Sequence, residues 1–263
     1  MARPIIALLT DFGVRDHYAG TMKGVVLGLC PDVTLIDITH DIPPHDLTTA
    51  SLELAASYKY FPAGTIFLVV VDPGVGSARR GLVAEAGDYR FVAPDNGVLT
   101  SVFREHRPRR VVELTERRYA RPTLSRTFEG RDRFAPAAAW LAKGTEPTAM
   151  GRPVTSWQLL EIPEPHADDS ALEGEIVRVD RFGNLVSNID RRLFDQFRHD
   201  GPIRVAVGGQ NVERLVATYS EAAPDSLCAL FGSSDHLELA VNGGSAAEHL
   251  GACRGTAVRI DRG

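Results

Sequence analysis

Cysteine is scarce in this chain of 263 residues, which contains three cysteines, none of them in a Cys-x-x-Cys pair. An odd number of isolated thiols argues against a disulfide framework and is typical of a reducing compartment. The apolar run at residues 5–9 is too short for the core of a secretory signal. No stretch stays apolar for long enough to span a membrane. We therefore expect a cytoplasmic protein without a membrane partner.

Basic residues are not in excess, since 29 lysines and arginines against 34 aspartates and glutamates leave a net charge of −5. A protein without a general positive field does not attract nucleic acid, so no nucleic-acid partner is expected. The sequence also lacks a P-loop, and no Gly-x-Gly-x-x-Gly follows its first predicted strand. We therefore do not expect a nucleotide held by its phosphates.

Metalloenzyme spacings of histidine, such as His-x-x-x-His and His-Glu-x-x-His, are absent as well. The one dense cluster of histidine and aspartate consists of His40, Asp41, His45 and Asp46. These residues can form a metal site, but a polar loop between a strand and a helix explains them equally well. We expect no bound metal, and a metal-dependent hydrolase built on His40 and His45 is kept as an alternative.

The first 150 residues alternate short apolar runs with helical patterns. Strands and helices are predicted in turn at residues 5–10, 17–29, 33–38, 47–60 and 67–71. This order implies right-handed crossovers and a mostly parallel sheet with flanking helices. Further elements are predicted at residues 82–93, 94–105, 110–114 and 134–143. Residues 1–150 are therefore expected to form an N-terminal α/β domain.

Residues 151–170 are rich in proline and acidic residues and are predicted to be a linker. Short period-two runs separated by turns follow, with strands predicted at residues 174–180, 185–189, 203–207, 237–241 and 256–260. This pattern favours an antiparallel sheet or barrel. The expected fold class is thus α/β, with a smaller C-terminal antiparallel, β-rich, barrel-like domain at residues 171–263.

The whole chain is organised around the stretch FLVVVDPGVGSARR at residues 67–80. Its valine-rich half predicts a central strand that is buried on both faces and ends at Asp72. Open α/β sheets bind their ligands at the carboxyl ends of such strands. The following turn can bring Arg79 or Arg80 back towards Asp72, and a carboxylate facing a guanidinium can orient a small nucleophile. The alternative is a turn held by a solvated ion pair.

Two other polar clusters lie in the predicted N-terminal domain. Asp11 and Asp16 flank a tight turn, where two carboxylates can bind a ribose diol or a ligand ammonium. Alternatively, Asp16 only caps the following helix. Glu129 lies beside Gly130 ahead of the alanine-rich helix and can enter a pocket. Alternatively, it belongs to a loop in which Asp132 is a helix cap.

A further cluster comes from the predicted C-terminal domain. Its segments are DRFGN at residues 180–184, FGSSD at 231–235 and NGGS at 242–245. Glycine lets backbone groups approach a ligand, and asparagine and serine bind amide or carboxylate edges. Ordinary turns use the same residue types, so turn chemistry is the alternative.

Taken in order, these motifs resemble those of the S-adenosyl-L-methionine hydroxide adenosyltransferases, the former DUF62 proteins, which are relatives of fluorinase and chlorinase. The matching segments are LTDFG at residues 9–13, DPGVG at 72–76 with Arg79, PDNG at 94–97, TFEGRDRFAP at 127–136, DRFGN at 180–184 and the run from Gly232. Together they cover nearly the whole chain.

The resemblance implies an enzyme that hydrolyses S-adenosyl-L-methionine. Water or hydroxide attacks the ribose C5′ and yields adenosine and L-methionine, without a metal or a cofactor. The resemblance also implies a homotrimer, in which the substrate binds between the N-terminal domain of one subunit and the C-terminal domain of its neighbour.

The resemblance also assigns roles to individual residues. Asp72 and Arg79 match an aspartate and an arginine that hold the attacking water. Asp11 matches the carboxylate on the ribose diol, and Asp16 a contact to the methionine amine. The residues that fall where the second domain binds adenine and the methionine head are Asp180, Asn184, Ser233, Ser234 and Asn242.

Glu129 departs from the pattern, because the hydrolases of the family usually carry a histidine at this position. Ionised glutamate cannot donate a hydrogen bond, but it can act as a general base or share a proton with Asp72. Two carboxylates predict an acidic pocket, which disfavours a halide and suits the deprotonation of water. We therefore predict a hydrolase with Asp72, Arg79 and Glu129 as catalytic residues. The alternative is a non-catalytic S-adenosylmethionine or adenosine sensor that lost turnover through Glu129.

Overall fold

The computed structural model describes residues 3–198 and 201–262, which divide into two compact units, Met1–Glu161 and Ile162–Gly263. The strands of the first unit are β1 (Ile5–Thr10), β2 (Thr34–Thr39), β3 (Ile66–Val70), β4 (Gly81–Ala86), β5 (Tyr89–Pro94), β6 (Arg110–Leu114) and β7 (Gly151–Pro153). Its helices are α1 (Tyr18–Leu29), α2 (Leu47–Ser57), α3 (Thr100–Glu105) and α4 (Ala135–Ala142). A π-helical turn at Gly130–Phe134 directly precedes α4.

The sheet of the first unit is mixed and has the strand order β2-β1-β3-β5-β4-β6-β7. The pairings β1/β2, β1/β3 and β3/β5 are parallel. The hairpin β4/β5 starts an antiparallel part that continues through β6 and β7. Helical crossovers after β1 and β2 produce the parallel part, whereas a tight hairpin can only join antiparallel strands. The expected α/β class with flanking helices is confirmed, but the sheet is mixed rather than mostly parallel.

Strand β3 is buried on both faces, as its valine-rich sequence predicts. Leu68 and Val70 pack into the core that contains α1 and α4. Phe67, Val69 and Val71 pack into the opposite core, which contains α2 and α3. Because side chains alternate along a strand, the next residue beyond Val71 is directed towards the α4 side. That residue is Asp72.

The second unit consists mostly of antiparallel strands. These are β8 (His166–Ala167), β9 (Ala171–Val179), β10 (Leu185–Asp190), β11 (Ile203–Val207), β12 (Gln210–Val212), β13 (Leu227–Phe231), β14 (His236–Val241) and β15 (Ala257–Arg262). Two short helices, α5 (Arg191–Arg198) and α6 (Ala246–Leu250), complete the unit.

The second sheet is a nearly closed barrel with the order β12-β11-β15-β9-β10-β14-β13. Residues directly after β12 extend to the opposite edge, where Leu215 bridges Ala229 of β13. The Val216 N–H donates to the Ala229 carbonyl at 2.9 Å, which narrows the gap between the two edge strands. Such closure protects strand edges that would otherwise be unpaired. The prediction of an antiparallel, barrel-like second domain is confirmed.

Several elements differ from the sequence-based expectation. Helix α3 begins at Thr100 rather than within residues 94–97, because Asn96 uses its side chain in a turn. Its amide donates to the Val71 carbonyl at 2.9 Å, and its Oδ1 accepts the Val98 N–H at 3.2 Å. Within residues 151–170, β7 pairs with β6 of the first unit, and β8 pairs with β9 of the second. None of the helices in the described ranges has the length and apolar character needed to cross a bilayer.

Candidate active site

Two of the predicted site residues, Asp72 and Arg79, form a buried ion pair just beyond β3. The turn closes through the Val75 N–H, which donates to the Asp72 carbonyl at 3.2 Å. Arg79 then donates from Nε to Asp72 Oδ1 at 2.8 Å and from Nη2 to Oδ2. The two side chains are 8% and 6% exposed, so the alternative of a solvated turn pair is wrong.

Arg80 has a separate partner, since its Nε donates to Asp95 Oδ2 at 2.8 Å. Asp95 is buried and also accepts the Gln158 N–H at 2.8 Å. Neighbouring residues of an extended chain point to opposite sides, which sends Arg79 and Arg80 to different carboxylates. The PDNG motif thus has a structural role, in which Asp95 binds Arg80. Arg79 binds Asp72 at the end of β3.

A close backbone approach brings the Asp72 turn against the loop that carries Glu129. A Cβ on Gly76 would lie 2.4 Å from the carbonyl oxygen of Arg126, so only glycine fits at this contact. Glu129 follows on the same loop, and its Oε2 lies 2.6 Å from Arg79 Nη2. Glu129 is 13% exposed at the side chain. The structure therefore brings Asp72, Arg79 and Glu129 together.

A fourth charged side chain, that of Arg133, belongs to this cluster and was not predicted from the sequence. Arg133 Nη1 lies 3.3 Å from both carboxylate oxygens of Glu129, and its Nη2 donates to the Leu114 carbonyl at 2.8 Å. The spacing of four residues was a visible signal, because residues one helical turn apart share a face. Two carboxylates and two guanidiniums make this four-residue cluster formally neutral.

Arg79 is held as a cation by this arrangement. Burial alone lowers the pKa of Arg79, but the hydrogen bonds and charges of Asp72 and Glu129 outweigh burial and raise the pKa above its ordinary value. The guanidinium also lies over the ring of Phe134, 5.2 Å from its centroid. Arg79 is therefore fixed from several sides and can serve as a rigid template for the two carboxylates.

The cluster borders a cleft of about 310 Å³ in the first unit. Asp72 and Glu129 line it together with Asp11, which follows β1, the parallel neighbour of β3. Parallel strands end at one edge of a sheet, which explains why Asp11 and Asp72 meet here. The His45 N–H donates to Asp11 Oδ2 at 2.9 Å. The cleft thus carries three carboxylates on one rim.

An aromatic wall forms another side of the cleft. The rings of Tyr18 and Phe128 are 5.1 Å apart, and those of Phe12 and Phe128 are 6.0 Å apart, both in edge-to-face geometry. Val14 and Val75, which follow Asp11 and Asp72 in the chain, are 79% and 38% exposed. Exposed apolar side chains beside a polar cleft are typical of a surface that binds a ligand or another chain.

Two further expectations concern Asp16 and the histidine cluster. Asp16 is exposed and is not among the described residues that line the cleft. Nor does it cap α1, whose N-cap is His17 without a side-chain hydrogen bond. Asp46 caps α2 by accepting the Thr49 N–H at 3.0 Å, and His40 bonds to Thr10 at 2.8 Å. No metal-holding group of three or more His, Cys, Asp or Glu occurs within the described ranges.

Asp132 is fully buried and is not a helix cap, since Glu129 and Phe134 occupy the N-cap positions of the π-helical turn and of α4. It accepts the Ser125 N–H at 2.7 Å and the Arg131 Nε at 2.6 Å. Burial raises the pKa of Asp132, but the bonds from Arg131 and Ser125 outweigh burial and hold the pKa below its usual range. This carboxylate therefore ties the loop before Glu129 to the π-helical turn after it.

In the second unit, Asp180 and Asn184 form the turn between β9 and β10. Asp180 Oδ1 accepts the Asn184 N–H at 2.9 Å, and the Asn184 amide donates to Asp180 Oδ2 at 2.9 Å. Gly183 completes the turn with a φ of 82°, which favours glycine. Phe182 lies at the tip and is 77% exposed. Turn chemistry thus explains the hydrogen bonds within this motif. It does not explain why the Phe182 ring is exposed.

The Gly183→Ala variant should be less stable than the wild type by about 1 to 3 kcal/mol, because alanine is strained at this φ. Its Cβ would also lie 2.1 Å from Ser245 Oγ and 3.0 Å from Ser245 Cα. Urea unfolding of the full chain measures the loss. Gly243→Ala is the control, since Gly243 has a φ of 87° but nothing within 4 Å of the position that a Cβ would take. An equal loss in both variants would show that the Ser245 contact is unimportant.

Ser233 and Ser234 lie in the turn between β13 and β14. Ser233 is exposed, whereas Ser234 Oγ is buried and has no hydrogen-bond partner among the described residues. A buried hydroxyl without a partner is uncommon in folded proteins. The Asn242 amide donates to the Ala222 carbonyl at 2.8 Å.

The buried Glu238 and the partly exposed Tyr219 form a polar pair that was not predicted from the sequence. Tyr219 donates its hydroxyl to Glu238 Oε2 at 2.9 Å. Burial and this bond raise the pKa of Tyr219 to about 12. Burial also raises the pKa of Glu238, the Tyr219 bond opposes the rise, and the charge of Asp180 adds to it. The period-two pattern of β14 only predicts that Glu238 faces away from Leu237 and Leu239.

Several curated proteins are similar to this chain over nearly its full length. The chain is 39% identical to the (R)-S-adenosyl-L-methionine hydrolase of Thermus thermophilus, covering 98% of this chain and 99% of that relative. It is 36% identical to the hydrolase of the same name from Salinispora tropica, with 99% and 98% covered. A fluorinase from Nocardia brasiliensis is also similar, with 28% identity over 99% of this chain and 98% of that relative.

Among solved structures, an uncharacterized conserved protein from Thermotoga maritima is similar, with a TM-score of 0.92 and 36% sequence identity. The similarity covers 98% of this chain and 100% of that chain. The profile of the SAM hydroxide adenosyltransferase N-terminal domain matches residues 6–151. The profile of the C-terminal domain of the same family matches residues 174–259. The resemblance drawn from the motifs is therefore confirmed, and the chain belongs to the SAM hydroxide adenosyltransferase family.

Proposed function

We propose that this protein is an S-adenosyl-L-methionine hydrolase, which forms adenosine and L-methionine by attack of water or hydroxide on the ribose C5′. The observation that carries the proposal is the buried cluster of Asp72, Arg79 and Glu129 on the rim of the cleft. The names of the relatives from Thermus thermophilus and Salinispora tropica support it and point to the (R) epimer at sulfur.

The chemistry needs an aligned water molecule and a base, but no acid. As the C5′–O bond forms, the C5′–S bond breaks and its electron pair stays on sulfur, so methionine leaves as a neutral thioether. Asp72, fixed by two bonds from Arg79, aligns the water behind C5′. Among the described residues, Glu129 Oε1 has only the 3.3 Å contact with Arg133, which leaves it free to accept the proton of the water.

The remaining predicted site residues supply substrate binding in this proposal. Asp11 on the cleft rim accepts hydrogen bonds from the ribose diol, and Asp16 contacts the methionine ammonium. The unpartnered Ser234 hydroxyl supports a ligand contact in the second unit. The second-unit residues that bind adenine and the methionine head are Asp180, Asn184, Ser233, Ser234 and Asn242.

We further propose a homotrimer, in which the second unit of a neighbouring subunit covers the cleft of the first. The exposed Val75 in the lining of the cleft supports a partner surface. The enzyme is proposed to work without a metal or a cofactor, and to be cytoplasmic. Its free cysteines, Cys30, Cys228 and Cys253, are consistent with a reducing compartment.

A non-catalytic sensor of S-adenosylmethionine or adenosine is the second candidate. One observation favours it, namely that Glu129 contacts two guanidiniums, Arg79 and Arg133. Carboxylate lone pairs that accept from two guanidiniums are not available to the proton of a water molecule. In that case, the cleft would bind its ligand without turnover.

Incubation of the purified full-length protein with each sulfonium epimer of S-adenosylmethionine tests these candidates. Chromatography should detect adenosine and methionine in equal amounts, faster from the (R) epimer, and unchanged by a chelator. Tight binding without product would support the sensor, and loss of activity with the chelator would support a metal-dependent enzyme. Formation of 5′-halogenated adenosine in the presence of halide salts would indicate a different nucleophile.

A further inference from the structure

Arg133 approaches the catalytic cluster from behind. It lines a second cavity of about 300 Å³, together with Arg117, Tyr119 and the end of β6. Among the described residues, Arg133 is not part of the lining of the substrate cleft, whereas its partner Glu129 is. The guanidinium is anchored on the Leu114 carbonyl at 2.8 Å. Arg133 therefore touches Glu129 without facing the substrate.

The charge of the cluster depends on Arg133. Asp72 and Glu129 both face Arg79, so without Arg133 two buried carboxylates would share a single guanidinium. A buried charge without a partner costs several kcal/mol. With Arg133 at 3.3 Å from both oxygens of Glu129, the four groups alternate in sign from Asp72 to Arg133.

Arg133 also restricts the orientation of the Glu129 carboxylate. The terminal torsion of glutamate is broad and does not define the carboxylate plane. Arg79 binds only Oε2, at 2.6 Å, and leaves this plane free to turn. Arg133 contacts both oxygens from a planar group that is itself fixed by a backbone carbonyl. A single fixed nitrogen, Nη1, thus contacts both oxygens and limits the positions that Oε1 can take.

We propose that Arg133 is a positioning residue, which holds the Glu129 carboxylate in place and aims it at the attacking water. The inference rests on the hydrolase function proposed above. It also gives a reason why glutamate can stand at this position. A neutral imidazole at this position would need no second cation, so Arg133 is required only because residue 129 is a carboxylate.

A double-mutant cycle tests this dependence through adenosine release. Arg133→Met should lower kcat by about 10²-fold, as expected when a catalytic group is misplaced by about 1 Å, with KM unchanged. In a Glu129→His background, the same Arg133→Met change should leave kcat unchanged or raise it, since the imidazole no longer faces a second cation. Arg117→Met is the matched control, because Arg117 lines the same cavity. It should retain the wild-type kcat.

The outcomes separate the inference from the proposed function. A wild-type protein that releases no adenosine contradicts the function itself. If the wild type is active, a kcat of Arg133→Met equal to that of the wild type overturns the positioning role. An equal fold-loss from Arg133→Met in both backgrounds also overturns it, because a merely structural arginine would matter in both. If Glu129→His alone is inactive, adding Arg133→Met to it must restore adenosine release. Failure of this double variant to release adenosine also overturns the positioning role of Arg133.

Discussion

Asp72→Ala is expected to lower kcat by about 10²- to 10⁴-fold, while the protein still binds S-adenosyl-L-methionine. Both carboxylate oxygens of Asp72 are bound by Arg79, so the substitution removes the group that aligns the water and frees the arginine. No acid is needed for the leaving thioether, which makes the alignment and deprotonation of water the main sources of acceleration. Adenosine release measures kcat, and titration calorimetry measures binding.

Asp95→Asn is the matched control for this variant. Asp95 is also a buried aspartate paired with an arginine of the same segment, since it accepts from Arg80 Nε at 2.8 Å. It has no role in the proposed reaction, so Asp95→Asn should reduce stability and leave kcat unchanged. A wild-type kcat in Asp72→Ala would contradict the proposed alignment of water. An equal loss of kcat in Asp72→Ala and Asp95→Asn would contradict it as well.

Arg79→Met is expected to reduce the free energy of unfolding by about 3 to 5 kcal/mol, the usual cost of removing one partner of a buried ion pair. Arg79 is 8% exposed and lies between Asp72 and Glu129, so its loss leaves two carboxylates facing each other. Urea unfolding of the full chain measures the change. Arg80→Met should lose less, because the Arg80 side chain is 29% exposed and pairs with one carboxylate.

A triple variant tests the cause of that loss. Asp72→Asn and Glu129→Gln remove the two charges that Arg79 neutralises, so adding them to Arg79→Met should restore part of the stability. No recovery in the triple variant would mean that packing over Phe134, where the guanidinium lies 5.2 Å from the ring centroid, explains the loss instead.

The local pattern identified the end of β3 as the site but left the choice of arginine open. Arg79 and Arg80 are adjacent, and both were within reach of Asp72 along the chain. Only the arrangement of strands shows that Arg80 pairs with Asp95 after β5, while Arg79 turns towards Phe134 and Glu129. The neutral charge of the cluster was likewise hidden, because it depends on the place of Arg133.

The second unit shows the same limit. Five of its strands were predictable from period-two runs, whereas β8, β12 and β13 were not predicted. Tyr219 and Glu238 lie on different elements and meet only when the barrel curls and the segment after β12 reaches β13. A pattern of alternating residues assigns a side chain to a face of a sheet, but it does not say what covers that face.

The sequence by itself determined the α/β class, the barrel-like second unit, the family and the position of Asp72 beyond a buried strand. These properties follow from short-range rules of alternation, turn residues and motif order, which each residue and its neighbours carry. Only the tertiary structure decided that Glu129 meets Arg79 and that Arg133 completes the charge balance. Ion pairing acts through space, so it depends on distances that no stretch of sequence contains.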